Sequence, residues 1–212
     1  MAKAVLFDFD GTILDTESTV LIAWREEYEH HGLQLDEDAW LSALGGDQDR
    51  YAALAEQVGD SYDLVASQAR KRQREFELVA GLVLRDGIDD CLLEARRAGL
   101  SLGLVSSSPA SWVLPHLERL SLLDRFDVVV TREDAERSKP FPDLYLAALS
   151  RLEVSATDAV AIEDSANGVA AARAAGIRCV AFPNPITVRQ DLGHADVLAE
   201  SELWARVRAL GE

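Results

Sequence analysis

The sequence predicts an α/β protein in which a parallel sheet carries a small all-helical insert after its first strand. From Arg85 onward, apolar runs of strand length alternate with helical segments, the pattern of βαβ units in a parallel sheet. Between about residues 15 and 83 apolar residues recur at helical spacing and no convincing strand occurs. The N-terminal run Ala4 to Phe7 reads as a buried strand with no sheet of its own nearby, so it most simply joins the later strands. The expected sheet domain is therefore discontinuous, residues 1–14 and 84–212, and the helical domain covers 15–83.

The chain opens MAKAVLFDFDGTILDTE, an apolar strand that runs into a turn at Gly11-Thr12. A helix is expected from Thr16 to His31, with Val20, Ile22, Ala23, Trp24 and Tyr28 on its apolar positions and Gly32 as its stop. A short helix follows in DEDAWLSALG, a break at Gly45-Gly46, then helices in DRYAALAEQVG and LVASQARKRQREFELVAG. Four more strands are expected at 102–106, 127–131, 159–163 and 178–182. Helices follow in SPASWVLPHLERL, DLYLAALSRL and SANGVAAARAAG. The first of these has Ser108 as its cap and Pro109 in its first turn; Gly176 ends the last.

A formal charge of −16, from 21 Lys and Arg against 37 Asp and Glu, leaves no broad basic face for a nucleic acid. No segment approaches the roughly 20 apolar residues of a membrane span, and the N terminus enters a strand without a charged leader. Cys91 and Cys179 are far apart and read as two buried thiols, which suits a reducing cytoplasm. His30, His31, His116 and His194 lack metal-ligand spacing. No extra apolar face stands out, so a cytoplasmic monomer is the expectation.

Polar residues recur where the strand runs end: Asp8 and Asp10 at the first, Ser106 at the second, Glu163 and Asp164 at the fourth. Ligands of open α/β sheets bind outside the carboxyl ends of the strands, so a common site is implied. Several carboxylates in one pocket cannot all ionise cheaply. A hard divalent cation resolves the conflict, and Mg²⁺ takes one or two carboxylates, waters and a phosphate oxygen. Lys139, in SKPFPD, is the only lysine after Lys71 in an arginine-rich chain, which points to a need for a compact charge. Ser106 offers a hydroxyl and nearby backbone N–H groups to a phosphate. Taken singly, Lys139 also reads as a solvated loop charge, Ser106 as a turn residue and Glu163-Asp164 as helix N-terminal capping.

Taken together and in this order, these segments resemble the haloacid dehalogenase superfamily of phosphotransferases over the whole chain. DFDGT at 8–12 looks like its first motif, VS at 105–106 its second, SKP at 138–140 its third and IEDSANG at 162–168 its fourth. The resemblance implies a Rossmann-like core with a helical cap. It implies Asp8 as nucleophile forming an aspartyl phosphate and Asp10 as general acid and base. Gly11 would permit the turn, and Thr12 would orient Asp10 by a hydrogen bond. Ser106, Ser107, Lys139, Gly11 and Thr12 would surround the phosphoryl group. Mg²⁺ would be held by Asp8, the Asp10 backbone carbonyl and Asp164, with Glu163 beside them. In the helical insert, the Gly45-Gly46-Asp47 loop and Arg50, Arg70 or Arg72 would meet the substrate.

The texture is that of β-phosphoglucomutase and small sugar-phosphate or phosphoglycolate phosphatases. The mutase needs a histidine in the cap where this chain has Val20, and longer polar side chains where it has Pro109-Ala110. The expectation is a Mg²⁺-dependent phosphatase of a small phosphorylated metabolite, with a mutase as the alternative. A receiver domain would place its phosphoacceptor on a later strand and lack the insert, and a pseudoenzyme would lack one of the motif residues.

Overall fold

The structure, a computed structural model, describes residues 1–42 and 49–212. Six strands form one parallel sheet in the order β3-β2-β1-β4-β5-β6. They are β1 (Ala4–Phe7), β2 (Ser101–Val105), β3 (Val128–Val130), β4 (Ala159–Glu163), β5 (Arg178–Ala181) and β6 (Val197–Leu198). β1 is central, with Phe7 in register with Leu104 of β2 and Ile162 of β4. Every residue of β1 and β4 is buried. A strand covered on both faces has no polar face to alternate with, which is why both read as apolar runs.

The chain divides into two compact units, Met1–Asp15 with Val83–Glu212, and Thr16–Leu82. The second holds α1 (Thr16–His30), α2 (Glu37–Ser42), α3 (Arg50–Val58) and α4 (Leu64–Ala80). α1 packs on α4, and the Arg70 guanidinium donates to both oxygens of the buried Glu27, at 2.6 and 3.2 Å. Burial alone would raise Glu27; hydrogen bonds from Arg70 and Ser67 outweigh it and hold the carboxyl below its usual range.

The first unit holds α5 (Ile88–Arg97), α6 (Ala110–Arg119), α7 (Asp143–Leu152), α8 (Ala166–Ala174) and α9 (Leu203–Gly211). Neither α5 nor α9 was anticipated. α5 buries Ile88, Cys91, Leu92 and Ala95, a helical i, i+3, i+4, i+7 stripe present in the sequence and overlooked. α9 buries only Leu203, Val207 and Gly211, one residue per turn. β6, two residues long, is too short to carry a period. α6 begins at Ala110 with Pro109 as its cap, so Ser108 is not the capping residue. Both cysteines are buried and free, and burial pushes the Cys91 thiol up to about 12. No helix among the described residues is long and apolar enough to cross a membrane.

Both edge strands are started by the same device. Asp127, just before β3, donates its N–H to the Leu102 carbonyl at 2.8 Å and accepts the Leu102 N–H on its carboxylate at 2.7 Å. Asp196, just before β6, makes the equivalent pair with Cys179 at 2.9 and 2.8 Å. An arginine locks each carboxylate: Arg96 takes both oxygens of Asp127, and Arg173 reaches Asp196. Short edge strands thus gain a side-chain rung where the backbone ladder is thin.

Burial alone would raise Asp127, but the Arg96 hydrogen bond and the Leu102 N–H bring it below its ordinary value. A depressed folded-state pKa contributes stability above the unfolded value of about 3.9, and loses it as pH falls through the lower folded value. Urea unfolding should therefore show Asp127→Asn less stable than wild type at pH 7, with the gap narrowing below pH 4. A gap that is constant with pH would contradict this account of the rung.

Candidate active site

β1 and β4 are neighbours although sequence order runs outward from them in opposite directions, so the crevice between their carboxyl ends is the switch point of the sheet. Asp8 emerges there directly from β1, its N–H donating to the Ile162 carbonyl at 3.0 Å. Glu163 ends β4 and Asp164 follows it. All three carboxylates are buried: Asp8 is 6% exposed, Glu163 0% and Asp164 2%.

Lys139 is the cation among them. Its Nζ donates to Asp8 Oδ1 at 2.5 Å and to the Val105 carbonyl at 2.8 Å, and lies 2.6 Å from Glu163 Oε1. Tyr145, on α7, donates its hydroxyl to the same Glu163 oxygen at 2.5 Å. Burial pushes Asp8 up from its ordinary value, opposed by Lys139 and reinforced by the charge of Asp10. Burial, then the charge of Asp8, push Glu163 up to about 7. Burial would pull Lys139 down, yet the two carboxylates together hold it above its ordinary range, fully charged. Gly168, on α8, makes the room: a Cβ there would stand 1.8 Å from Glu163 Oε2.

Asp10 lies two residues on and half-buried. The Ser108 hydroxyl donates to its Oδ2 at 2.6 Å and the Trp112 indole N–H to its Oδ1 at 2.9 Å. The hydrogen bond expected from Thr12 to Asp10 is not formed; the buried Thr12 hydroxyl makes no hydrogen bond of good geometry, and its influence falls on Asp8, which it helps to hold down. Between Asp10 and Thr12, Gly11 turns the chain at φ +77°, and a Cβ there would stand 2.1 Å from Asp164 Oδ2. Only glycine satisfies both the backbone angle and that approach.

The Gly11 carbonyl accepts from Asn184 Nδ2 at 3.2 Å, and the same amide donates to Asp164 Oδ2 at 2.8 Å. Arg85 also donates to the Gly11 carbonyl, as well as to the Phe182 and Pro183 carbonyls at 2.9 and 2.6 Å, with its guanidinium over the Phe182 ring. The Ser106 hydroxyl accepts the Ser108 N–H at 3.0 Å, and the Ser107 hydroxyl accepts the Lys139 N–H at 3.3 Å.

The first unit therefore brings Asp8, Asp10, Gly11, Thr12, Ser106, Ser107, Lys139, Glu163 and Asp164 to one end of the sheet. The residues proposed for substrate contact belong to the other unit. There Arg50 lies over the Trp40 ring at 4.5 Å, Arg72 is exposed above Phe76, and Arg70 is committed to Glu27. Gly46 and Asp47 lie outside the described residues. Asn184, Arg85, Tyr145, Trp112 and Ser108 were missed as site residues. Asn184 was findable, because the fifth strand run ends in Phe182-Pro183-Asn184 and the rule of polar residues at strand ends extends to it.

Asp8, Glu163 and Asp164 each offer an oxygen within 4.8 Å of the others. Asp8 Oδ2 and Glu163 Oε2 are buried without a hydrogen-bond partner. Unpartnered buried carboxylate oxygens are costly, and an all-oxygen donor set of this kind fits a hard divalent cation. The Asp10 carboxylate stands apart from this group, its oxygens held by Ser108 and Trp112.

Residues 5–182 match the family described as haloacid dehalogenase-like hydrolase. YhcW of Bacillus subtilis (strain 168) is 38% identical over 209 residues, spanning 96% of this chain and 95% of its own. Fructose-1-phosphate phosphatase YqaB of Escherichia coli (strain K12) is 35% identical over 181 residues, 83% of this chain and 94% of its own. The crystal structure of CbbY from Rhodobacter sphaeroides in complex with phosphate superimposes with a TM-score of 0.73, at 32% identity and with 95% of each chain covered. With its match to the family extending over most of its length, the chain belongs to the haloacid dehalogenase-like hydrolases and is a phosphoric monoester hydrolase of that family.

Proposed function

We propose that the protein is a Mg²⁺-dependent phosphatase of a small phosphorylated metabolite, a sugar phosphate or similar phosphomonoester, acting through an aspartyl phosphate on Asp8. The observation that carries this reading is the state of Asp8: buried at the end of β1, with one oxygen on Lys139 and the other without a hydrogen-bond partner. The fructose-1-phosphate phosphatase among the relatives, and the phosphate bound in CbbY, support the substrate class. In the same reading the helical unit, with Arg50 and Arg72, is the cap.

An Asp8 carboxylate oxygen attacks phosphorus, and the bond from phosphorus to the ester oxygen breaks. Lys139 keeps Asp8 ionised and aimed, while its charge offsets that gathering on the phosphoryl oxygens. Asp10 gives a proton to the departing alkoxide, then takes one from water as that water attacks the aspartyl phosphate, releasing inorganic phosphate and restoring Asp8. Ser106 and Ser107 accept backbone N–H groups and keep their own hydroxyl protons for phosphate oxygens. Asp8, Asp164, the Asp10 carbonyl and, at one remove, Glu163 would hold Mg²⁺, which supplies charge neutralisation between the nucleophile and its anionic target. Glu163 has a second duty, since its Oε1 also holds the Lys139 ammonium.

Inorganic phosphate release should depend on Mg²⁺ across a panel of sugar phosphates, phosphoglycolate and nucleoside monophosphates, and should stop on addition of EDTA. Asp8→Asn should reduce it to background; retained turnover would remove the aspartyl phosphate from the mechanism. Asn184→Ala removes the donor that orients Asp164, so the Mg²⁺ concentration for half-maximal rate should rise by about 10–100-fold, the usual cost of losing an outer partner of a metal ligand. An unchanged Mg²⁺ requirement in Asn184→Ala would leave Asp164 without a part in metal binding.

A further inference from the structure

We propose that Trp112 and Ser108 are the positioning pair of the acid and base Asp10, and that the Trp112 indole N–H fixes the orientation of its carboxyl group. This rests on the acid/base reading of Asp10 given above. Half-buried carboxylates beside solvent usually leave at least one oxygen to water, whereas Asp10 has a protein donor on each: Trp112 Nε1 on Oδ1 at 2.9 Å and Ser108 Oγ on Oδ2 at 2.6 Å.

The two donors differ in kind. An indole nitrogen donates and never accepts, whereas a hydroxyl can do either. The indole N–H stays a donor whatever its partner does, while the Ser108 hydroxyl can rotate, so Trp112 is the fixed contact of the pair and Ser108 the adjustable one. One donor on each oxygen fixes the plane of the carboxyl group.

Trp112 is itself braced. Its ring meets the His116 ring edge-on at 4.8 Å, and His116 stacks on Phe9 at 6.3 Å. Phe9 is fully buried between the two aspartates in sequence. The Trp112 side chain is thus set against the chain segment that carries Asp10. The start of α6 is fixed as well, by the Ala110 N–H to the Glu133 carboxylate at 3.1 Å and the Ser108 N–H to the Ser106 hydroxyl at 3.0 Å. A helix-borne tryptophan in contact with the reacting group's orienting face is more than core filling, because its one polar atom is spent on Asp10.

The test uses Trp112→Phe, which keeps the ring and deletes the N–H. Rates are measured on phenyl phosphate, whose leaving group needs a proton, and on p-nitrophenyl phosphate, whose more acidic leaving group needs it much less. General acid catalysis is worth about 10²–10⁴ in rate, so a misaligned acid should cost about tenfold or more on phenyl phosphate and a clearly smaller factor on p-nitrophenyl phosphate. In an Asp10→Asn background Trp112→Phe should add no further discrimination between the two esters. Equal losses on both esters, or full additivity with Asp10→Asn, would overturn the proposal and leave Trp112 a packing residue.

A second readout does not depend on turnover. The chain has four tryptophans, so a ¹⁵N-correlated spectrum carries four indole N–H signals, and the one lost in Trp112→Phe should move in Asp10→Ala. If that signal stays in place, the contact does not exist in solution and the proposal fails. If wild type hydrolyses neither these esters nor any of the sugar phosphates, the phosphatase reading is what fails, and the indole signal still decides whether Trp112 holds Asp10.

Discussion

Asp8 carries a carboxylate out of the central strand into a place with almost no water, next to two further carboxylates. An isolated buried charge of that kind is prohibitively costly. Much of the surrounding structure can be understood as the response. The loop before α7 sends Lys139 in from across the sheet to touch Asp8, Glu163 and the Val105 carbonyl at once. Tyr145 supplies the remaining donor to Glu163. Even so the compensation is partial, because Asp8 Oδ2 and Glu163 Oε2 remain without hydrogen-bond partners. A family of hydrolases that works on anionic esters keeps its charge imbalance where a cation and a phosphoryl group can complete it.

The same demand explains two glycines that otherwise look like loop filler. Gly168 lies where α8 passes the Glu163 carboxylate, and Gly11 lies where the turn after β1 passes Asp164. Each gives up a side chain so that a backbone can approach a carboxylate too closely for a Cβ. The Gly11 turn is then tied down by its carbonyl, which takes donors from Arg85 and Asn184. Arg85 joins that turn to the carbonyls at 182 and 183, beside Asn184. Preorganisation here runs through main-chain carbonyls as much as through side chains, and such bonds leave no spacing pattern in a sequence.

That is the general reason why some parts of this protein were legible in the sequence and others were not. Strands buried on both faces announce themselves as apolar runs, which made β1, β2, β4 and β5 readable, while β3, only partly buried, was readable from its run of valines. β6 is held by one side-chain rung from Asp196 and a pair of residues, and no periodicity can report that. The motif residues stood out because acidic side chains at the end of a buried strand contradict local hydrophobicity. Tyr145, Arg85 and Trp112 look like ordinary amphipathic or aromatic residues in a helix or loop until the fold closes and brings them to the site. Ser108 was given a helix-capping role from its place before Pro109, and tertiary contact with Asp10 overrode that local preference.

Asp8 and Asp10, two residues apart on one short turn, sit in different environments, and the proposed division into nucleophile and acid rests on that difference. Asp8 is almost wholly buried, faces a fixed ammonium and has one oxygen without a hydrogen-bond partner, which is what the proposed nucleophile requires. Asp10 is half-buried and faces only neutral donors, an indole and a hydroxyl. A neutral donor does not oppose protonation as a cation does, so the two carboxyl groups are not interchangeable. Pairs of carboxyl groups divide acid and nucleophile roles in this way, by environment and not by chemistry of their own. Gly11 follows directly because the chain turns at once after the second aspartate and there passes so close to Asp164 that a Cβ would stand 2.1 Å from its Oδ2.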